Sequence, residues 1–533
     1  MRLTRKQFHE QVYFYTLILI AISLPLSVFT TSMFQLTLVI NWLLEARFSE
    51  KWEKAKSNRA LQVLLCLFLI NVVGLLWSEN LTYAIKDLKI KLPLLSIPII
   101  FATSVELTKH KVHRIMLFFT LGVFAASIAS VMKLVGLLPG EVEGYRDLSL
   151  FMSHIRFSHM IVVALLIMVY FVFLLRNTIS RAERLFYLGG LIWFPVFMVL
   201  LKSLSGIIIA CFLALFILFR AVFEIRDQAI RFMVMVPVIM IPLFTVIYLG
   251  QSINKFYNFD ELNPDELDAY TIEGNAYKNY PNLSEVENGH FIWIYICDVE
   301  LEREWNRVSG LNFQGSTTNG NSLRGTLIRF LTSKGYRKDA TGVKKLSSDE
   351  INAIEIGMAN HIYMKRFRLY PRIYEVIWEF DRYKAELDPN EKSVVQRFLY
   401  MEAGWNIALK HPWFGVGNGD VCKAFEDYYN ETNSPLQQKW RLRAHNQLLT
   451  FLISFGFPGL IICLVALIAP IFLANRHRSF MAAGILILAL LSMTNEDTLE
   501  MSLGVTLIIF FYSLFLFGPD FPWLRRKLFK SNE

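Results

Sequence analysis

Three stretches of the sequence carry cationic or imidazole side chains at the edges of apolar runs. Residues 153–159 read SHIRFSH around Arg156, residues 202–206 read KSLSG, and residues 441–447 read RLRAHNQ. A charge at the centre of a membrane span costs about 2.5–3.5 kcal/mol, and less at its edge. Charged residues beside apolar runs are therefore the first candidates for a functional site.

The residue types in and near these stretches suit an anion with two or more negative charges. An arginine fork binds two phosphate oxygens at once, at about 1.5–3 kcal/mol per charged hydrogen bond, so a pyrophosphate fits better than a carboxylate. A neutral imidazole accepts a proton near pH 7 and, at the membrane edge, reaches both water and a lipid-borne substrate. The candidates for this chemistry are Arg156, Lys202, Arg397, Arg443 and His445.

Each candidate also has an ordinary structural interpretation. Arg156 could extend to lipid headgroups, and Lys202 could lie in a tight hairpin turn. A lone histidine at a helix start, such as His445, is more often a polar cap. The histidines on both sides of Arg156, and Arg443 and Asn446 beside His445, favour function.

No metal or cofactor is expected. The five cysteines show no CxxC spacing, and no acidic motif typical of Mg²⁺ or Mn²⁺ accompanies the cationic residues. We therefore predict a metal-independent mechanism in which cationic side chains stabilise a leaving diphosphate. Cys297 and Cys422 could form a disulfide if their segment is extracytoplasmic.

The composition is typical of a polytopic membrane protein with one large aqueous segment. Of 533 residues, 54% are hydrophobic and 19% are charged. This composition is too apolar for an ordinary soluble protein and too charged for a protein that consists of membrane spans alone. The net charge of +9 is the surplus expected of cytoplasmic loops, so we expect the lipid bilayer as a partner and no nucleic acid.

Twelve apolar runs predict an all-α polytopic fold, because most approach the ~20 residues that cross a bilayer. They cover residues 11–29, 31–46, 61–77, 90–105, 115–136, 158–175, 184–201, 205–220, 232–249, 446–474, 479–493 and 500–517. The run 90–105 is marginal because it is short and contains Pro93 and Pro98, and the run 479–493 is also short.

Basic residues cluster in every second connection between the apolar runs, and this pattern predicts that both termini are cytoplasmic. We predict transmembrane helices 1–9 in residues 1–249, a large extracytoplasmic cap loop in 250–444, and helices 10–12 with a basic cytoplasmic tail in 445–533. The exceptions to the charge rule are Lys86, Lys89 and Lys91.

The cap loop is expected to be partly helical. Residues 289–296 are strand-like, whereas 297–308, 347–367 and 371–387 have helical patterns. Ser347 is the expected start of the second of these helices.

The residues from 397 to about 460 resemble the signature of a known family. They include RFLYMEAGWNIALKHPWFGVGNGD, then AHNQ and FGFPG. The pattern is similar to that of the O-antigen ligase and polymerase superfamily, bacterial membrane glycosyltransferases that use polyprenyl-diphosphate-linked glycans. The alternating Gly415, Gly417 and Gly419 predict a tight turn, since no strand–turn–helix unit surrounds them as in a dinucleotide site. The family's plan of twelve helices, with a large periplasmic loop between helices nine and ten, coincides with the predicted topology.

The resemblance implies roles for single residues. Arg397 corresponds to the family's loop arginine and His445 to its histidine before asparagine, and we expect both, with Arg156, to be catalytic. The family's second arginine, after a serine near the chain middle, is absent because Ser205 or its neighbour stands there. Lys202 or Arg156 would supply that cation, although a lysine does not replace a bidentate arginine fully. The expected substrate-binding residues are Lys202, Ser205, Arg443 and Asn446.

The resulting hypothesis is an O-antigen ligase-like, inverting glycosyltransferase of the bacterial inner membrane. It would move a glycan from a polyprenyl-diphosphate carrier to an acceptor hydroxyl, on lipid A-core or a similar glycolipid. An O-antigen or exopolysaccharide polymerase, or a protein O-oligosaccharyltransferase, would use the same chemistry on another acceptor. A transporter or flippase of an anionic solute is the alternative of another class, which predicts charges at mid-membrane depth and broken helices.

Overall fold

The chain forms two compact units, one of Met1–Val238 with Gln396–Glu533 and the other of Ile239–Val395. The computed structural model describes residues 4–139, 148–175, 178–223, 225, 227–283, 285–365, 369–384, 388–390 and 393–523. The predicted basic tail beyond residue 523 lies outside the described residues. The domain boundaries at residues 249 and 444, which concern the sides of the membrane, stay predictions.

The described chain is mostly helical. In chain order the α-helices are α1 Arg5–Ser23, α2 Val28–Glu45, α3 Phe48–Ser57, α4 Arg59–Val73, α5 Leu81–Lys91, α6 Pro93–Thr103, α7 Lys109–Leu134, α8 His154–Val169, α9 Arg181–Leu200, α10 Leu204–Val222, α11 Gln228–Phe256, α12 Asp298–Val308, α13 Leu323–Ser333, α14 Ala340–Lys344, α15 Ser348–Ile356, α16 Tyr370–Lys384, α17 Ser393–Lys410, α18 Val421–Glu431, α19 Gln447–Leu473, α20 Phe480–Met493 and α21 Ser502–Phe517. Short 3₁₀ turns cover Gly74–Trp77, Pro264–Glu266, His361–Met364, Gln438–Trp440 and Thr498–Glu500, and a π turn covers Tyr170–Leu174.

Seven of the described helices are long and apolar enough to cross a membrane. They are Arg59–Trp77, Lys109–Leu134, His154–Leu174, Arg181–Leu200, Leu204–Val222, Gln228–Phe256 and Gln447–Leu473. Helices α20 and α21 are apolar but shorter, and α1 and α2 occupy the first two predicted runs. The chain is therefore a multi-pass membrane protein, while the count of twelve spans and the extracytoplasmic loop stay predictions.

The predicted span at 90–105 falls on two helices, since α5 ends at Lys91 and α6 begins at Pro93. Proline has no N–H to donate and its fixed φ suits the first turn of a helix, so Pro93 starts a new element. At 1.5 Å per residue, the 11 residues of α6 extend about 16 Å, which is too short to cross ~30 Å of hydrocarbon.

The core of the first unit lies between its long helices, with α1 against α2 and α7, α4 against α19, and α6 against α21. Phe119 of α7 and Phe511 of α21 are fully buried, with ring centroids 4.6 Å apart. Edge-to-face aromatic pairs of this kind contribute about 0.5–1.5 kcal/mol beyond their buried area. This packing holds α19 and α21 in place, and the candidate site lies at their ends.

A glycine-rich turn holds a kink in α19. Gly456 has a φ of 70°, so the helix is interrupted there. The N–H of Val416 donates to the carbonyl of Ile453 at 2.8 Å, just before the kink. A Cβ on Gly415 would lie 2.4 Å from the same carbonyl oxygen, so only glycine permits this approach. The alternating glycines thus form a turn, and that turn fixes the direction of the first half of α19.

The second unit has a helical core and a small hairpin. β1 Val286–Glu287 pairs antiparallel with β2 His290–Phe291. Trp305 is fully buried among Phe313 and Phe330. Glu287 is buried, and its carboxylate accepts from Arg329 at 2.7 Å and from Asn360 at 2.6 Å, so its charge is paired inside the unit.

The local predictions for the cap are partly correct. Ser347 caps α15 in a capping box with Glu350, as its sequence predicts. The predicted strand over 289–296 is wrong beyond Phe291, because Tyr295 has a φ of 56° that breaks an extended path. Cys297 and Cys422 are both free thiols in this structure.

Candidate functional site

The candidate site is built around the start of α19, where Asn446 caps the N-terminus of the helix. The side-chain carbonyl of Asn446 accepts from the N–H of Leu449 at 3.1 Å, and its amide donates to the carbonyl of Thr494 at 2.9 Å. Residues 494–501 join α20 to α21 and include Glu496, Asp497 and Glu500; we call them the acidic turn. Asn446, predicted to bind substrate, therefore ties the start of α19 to the acidic turn.

His445 stands one residue before this cap in a strained conformation. Its φ of 48° lies in the left-handed region, which costs a residue with a Cβ about 1–3 kcal/mol. Burial lowers the pKa of His445 below its ordinary 6.5, and Asp497 opposes the shift. The charges of Arg397 and Arg443 add to the lowering of this pKa. The imidazole is therefore neutral at pH 7 and able to accept a proton.

Arg443 is the most enclosed of the predicted cations. Its Nη2 atom lies 3.4 Å from Oε2 of Glu500 and 3.9 Å from Oδ2 of Asp497, and its Nη1 donates to the hydroxyl of Tyr83 at 3.3 Å. Its side chain is 19% exposed. Because two carboxylates already neutralise it, Arg443 is better placed to hold the acidic turn than to bind an anion.

A buried ion network continues from Glu500 into α5. The ammonium of Lys91 lies 2.9 Å from Oε1 of Glu500 and 2.8 Å from Oδ2 of Asp87. Gln447 donates to Glu500 at 3.0 Å and accepts from the N–H of Leu499 at 2.7 Å. Burial acts to raise the pKa of Glu500, but Lys91 and then Arg443 outweigh it and hold that pKa at about 2. Lys91, an exception to the charge rule in sequence, is thus an internal partner of the acidic turn.

Glu496 pairs with one of the predicted catalytic arginines and is within reach of the charge of another. The Nη2 atom of Arg397 is 3.6 Å from Oε1 of Glu496, and the charge of Arg156 acts on the same carboxylate. Burial and the neighbouring Asp497 raise the pKa of Glu496, against the two arginines, which lower it. The structure therefore lets the charges of Arg397 of α17 and Arg156 of α8 act on one carboxylate, although the two arginines are 241 positions apart in sequence.

Ser205 joins the acidic turn from a third helix. Its hydroxyl accepts from the side-chain amide of Asn495 at 2.8 Å and lies 3.5 Å from Nε2 of His159. Lys202 lies in the exposed turn just before α10, with a φ of 50°. Ser205 thus contacts the acidic turn, whereas Lys202 lies in a turn, as its ordinary structural interpretation predicts.

The three carboxylates of the acidic turn are not among the site residues that the sequence predicts. The signal was present, because the turn is acidic while the candidates around it are cationic, but a short acidic turn is usually a solvated connection. Among the described residues, no group of three or more His, Cys, Asp or Glu side chains is arranged to hold a metal ion.

Long apolar helices with a paired set of arginines and carboxylates at their ends define a multi-pass membrane protein with a polar site. Residues 351–464 match the family described as O-antigen ligase, a range that includes Arg397, Arg443, His445 and Asn446. These residues are thus similar to the O-antigen ligase family, and the resemblance found in the sequence is confirmed. No curated protein matches the chain.

Proposed function

We propose that this protein transfers a glycan from a polyprenyl-diphosphate carrier to an acceptor hydroxyl, as an O-antigen ligase-type glycosyltransferase. The observation that carries the proposal is the ion pair of Arg397 with Glu496, a carboxylate that also feels the charge of Arg156, while the charge of Arg397 acts on the neutral imidazole of His445. One guanidinium group paired with Glu496, and a second whose charge reaches the same carboxylate, match a diphosphate, which spreads its charge over several oxygens.

The diphosphate would replace Glu496 as the partner of Arg397 and would lie within reach of the charge of Arg156. Arg397 is 47% exposed, so its fork is accessible to a ligand without opening the core. As the glycosyl C–O bond breaks, negative charge grows on the leaving diphosphate, and two prealigned cations stabilise that charge more than they stabilise the ground state.

His445 would act on the acceptor. Its neutral ring takes the proton of the acceptor hydroxyl while the hydroxyl oxygen attacks the anomeric carbon and the bond to the diphosphate breaks. Asp497, whose charge acts on the ring, stabilises the imidazolium that forms. A single displacement of this kind inverts the anomeric carbon and involves no metal or cofactor.

The donor would enter the site from the bilayer. A multi-pass helical protein with its site at helix ends allows the polyprenyl tail to stay in lipid while the diphosphate reaches Arg397. We propose the bacterial inner membrane as the location, with both termini cytoplasmic, residues 250–444 in the periplasm, and a glycolipid or similar hydroxyl acceptor as the second substrate.

The test is transfer by the purified full-length protein in lipid nanodiscs, supplied with the lipid-linked glycan and acceptor lipid of its host. Wild type should form the coupled product, and His445→Ala and Arg397→Ala should lose at least about 100-fold in rate. His477→Ala and Arg478→Ala, exposed residues beyond the far end of α19, are the matched controls and should keep full activity. Full turnover by His445→Ala and Arg397→Ala would contradict these roles, and flipping of the glycan without bond formation would support a transporter instead.

A further inference from the structure

A cavity of about 500 Å³ lies at the other end of the helix that carries Arg397. It is lined by the end of α17, by α18 and the turn that joins them, and by the segment that follows α4. Its volume is within the range of small-ligand sites. Arg397 and Lys410 are 13 residues apart on α17, which corresponds to about 20 Å of helix. The cavity is therefore separate from the site around His445.

Aromatic rings supply the apolar surface of this cavity. The rings of Trp77 and Phe414 meet edge to face with centroids 6.1 Å apart, and Tyr428 lines the cavity as well. Phe414 is 70% exposed, so the face of its ring is accessible to a ligand in the cavity. The electron-rich face of an aromatic ring attracts weakly positive C–H groups, such as those on the faces of sugar rings.

The polar lining carries more negative than positive charge. Four carboxylates, of Glu79, Asp420, Asp427 and Glu431, accompany the ammonium groups of Lys410 and Lys423. Both lysines are already paired, Lys410 with Glu431 at 2.6 Å and Lys423 with Glu79 at 2.8 Å. A negative surplus repels phosphate, so neither a diphosphate nor a phospholipid headgroup with net negative charge fits. Carboxylates accept hydrogen bonds from hydroxyl and amino groups, which sugars offer in number.

We propose that this cavity binds the neutral or amino-sugar part of a glycan chain, at a distance from the diphosphate. The proposal rests on the function proposed above and deepens it, since a ligand that reached both places would be an oligosaccharide of several sugars. Donor glycan and acceptor glycan share this chemistry, and kinetics can separate them.

A photo-crosslinking amino acid, p-benzoylphenylalanine, at position 414 tests the occupant directly in membranes of the host that contain donor and acceptor. The same group at position 413 is the matched control, because Trp413 is also 70% exposed but does not line the cavity. Mass spectrometry of the purified full-length protein should find glycan attached at 414 and not at 413, also in the His445→Ala background, where binding continues without turnover.

The outcomes separate this proposal from the proposed function. Phospholipid at 414, equal glycan at both positions, or no glycan at 414 in a protein that transfers would overturn the cavity assignment alone. Glycan at 414 without transfer by wild type would overturn the proposed function and leave the binding site standing. Absence of both would overturn both.

Kinetics of transfer then identify which glycan is bound. Phe414→Ala and Asp427→Asn should raise KM for one substrate by about 2- to 10-fold, the effect of one aromatic or polar contact, with kcat within about twofold. A raised donor KM assigns the cavity to the donor, and a raised acceptor KM assigns it to the acceptor. Trp413→Ala should change neither, and a fall in kcat with both KM values unchanged would contradict a binding role.

Discussion

Arg397 and Glu496 lie with Nη2 and Oε1 3.6 Å apart, and Arg156 acts on the same carboxylate from another helix. The two arginines are thus already neutralised in part before any substrate arrives. A diphosphate must compete with Glu496 for the guanidinium groups. We therefore expect the carboxylate to determine how tightly the donor binds and to have little effect on the rate of the chemical step.

Glu496→Gln should therefore lower KM for the lipid-linked donor. A partly exposed ion pair contributes about 0.2–1 kcal/mol, so the expected change is at most about fivefold, with kcat nearly constant. Initial rates against donor concentration measure the effect. Glu402→Gln, an exposed carboxylate on α17, should leave KM unchanged. Loss of transfer in Glu496→Gln would instead give Glu496 a direct part in the reaction.

Arg156, and not Lys202, should supply the second cation of the site. Arg156→Ala is expected to lose about 100-fold or more in kcat, and Arg156→Lys to recover only part, because lysine keeps the charge but lacks the fork. Lys202→Ala, in the exposed turn before α10, should stay within about threefold of wild type. Rates under saturating donor distinguish these variants, and a larger loss in Lys202→Ala than in Arg156→Ala would reverse the assignment.

The pH profile of transfer should report His445. Its pKa is lowered in the folded protein, so the neutral base is present above that pKa and is lost as the pH falls through it. The acidic limb of kcat/KM is therefore expected below pH 6.5. Asp497→Asn should move the limb to still lower pH, because Asp497 opposes the lowering, while His477→Ala should not move it. A limb above pH 6.5 would show that another group controls the rate.

Lys91→Ala should destabilise the protein strongly. It would leave Asp87 and Glu500 without their shared buried cation, and breaking such a pair costs about 3–5 kcal/mol. Lys86→Ala, an exposed lysine on the same helix, is the control and should have little effect. Thermal unfolding in detergent measures both variants, and equal midpoints would contradict the network.

Gly456→Ala should also destabilise, through the kink of α19. Its φ of 70° disfavours alanine, and the added Cβ would lie 2.4 Å from the carbonyl carbon of Trp413. We expect a loss of about 1–3 kcal/mol in thermal unfolding, accompanied by lower transfer because the kink orients the start of α19. Gly189→Ala, where a Cβ meets nothing within 4 Å, should be neutral or slightly stabilising. If Gly456→Ala leaves the unfolding midpoint unchanged, the kink of α19 and the backbone of Trp413 can move apart without cost.

Local patterns in the sequence selected the part of the candidate site that is local in the chain, and the roles of these residues stay predictions. Arg443, His445 and Asn446 lie within four consecutive residues just before α19, so their closeness follows from the chain itself. Arg397 could be added because the motif links it to the same segment. The capping signal at Ser347 was equally reliable, since it depends on four consecutive residues.

The remaining features depend on contacts between distant segments. Glu496 pairs with Arg397 and comes within reach of the charge of Arg156 only after α8, α17 and α20 have packed, and nothing in its own neighbourhood indicates this. Lys91 contradicted the charge rule in sequence because its partner Glu500 is more than 400 residues away. The strand predicted at 289–296 failed for a similar reason, since the backbone of Tyr295 follows the packing of its unit and not the local preference for extension.

The carboxylate of Glu496 has a consequence for the end of the catalytic cycle as well as for its beginning. A bare pair of guanidinium groups would hold a free polyprenyl diphosphate tightly and slow turnover by product inhibition. An internal anion that returns to Arg397 as the spent carrier departs reduces this retention, so the empty carrier can re-enter the membrane for reloading.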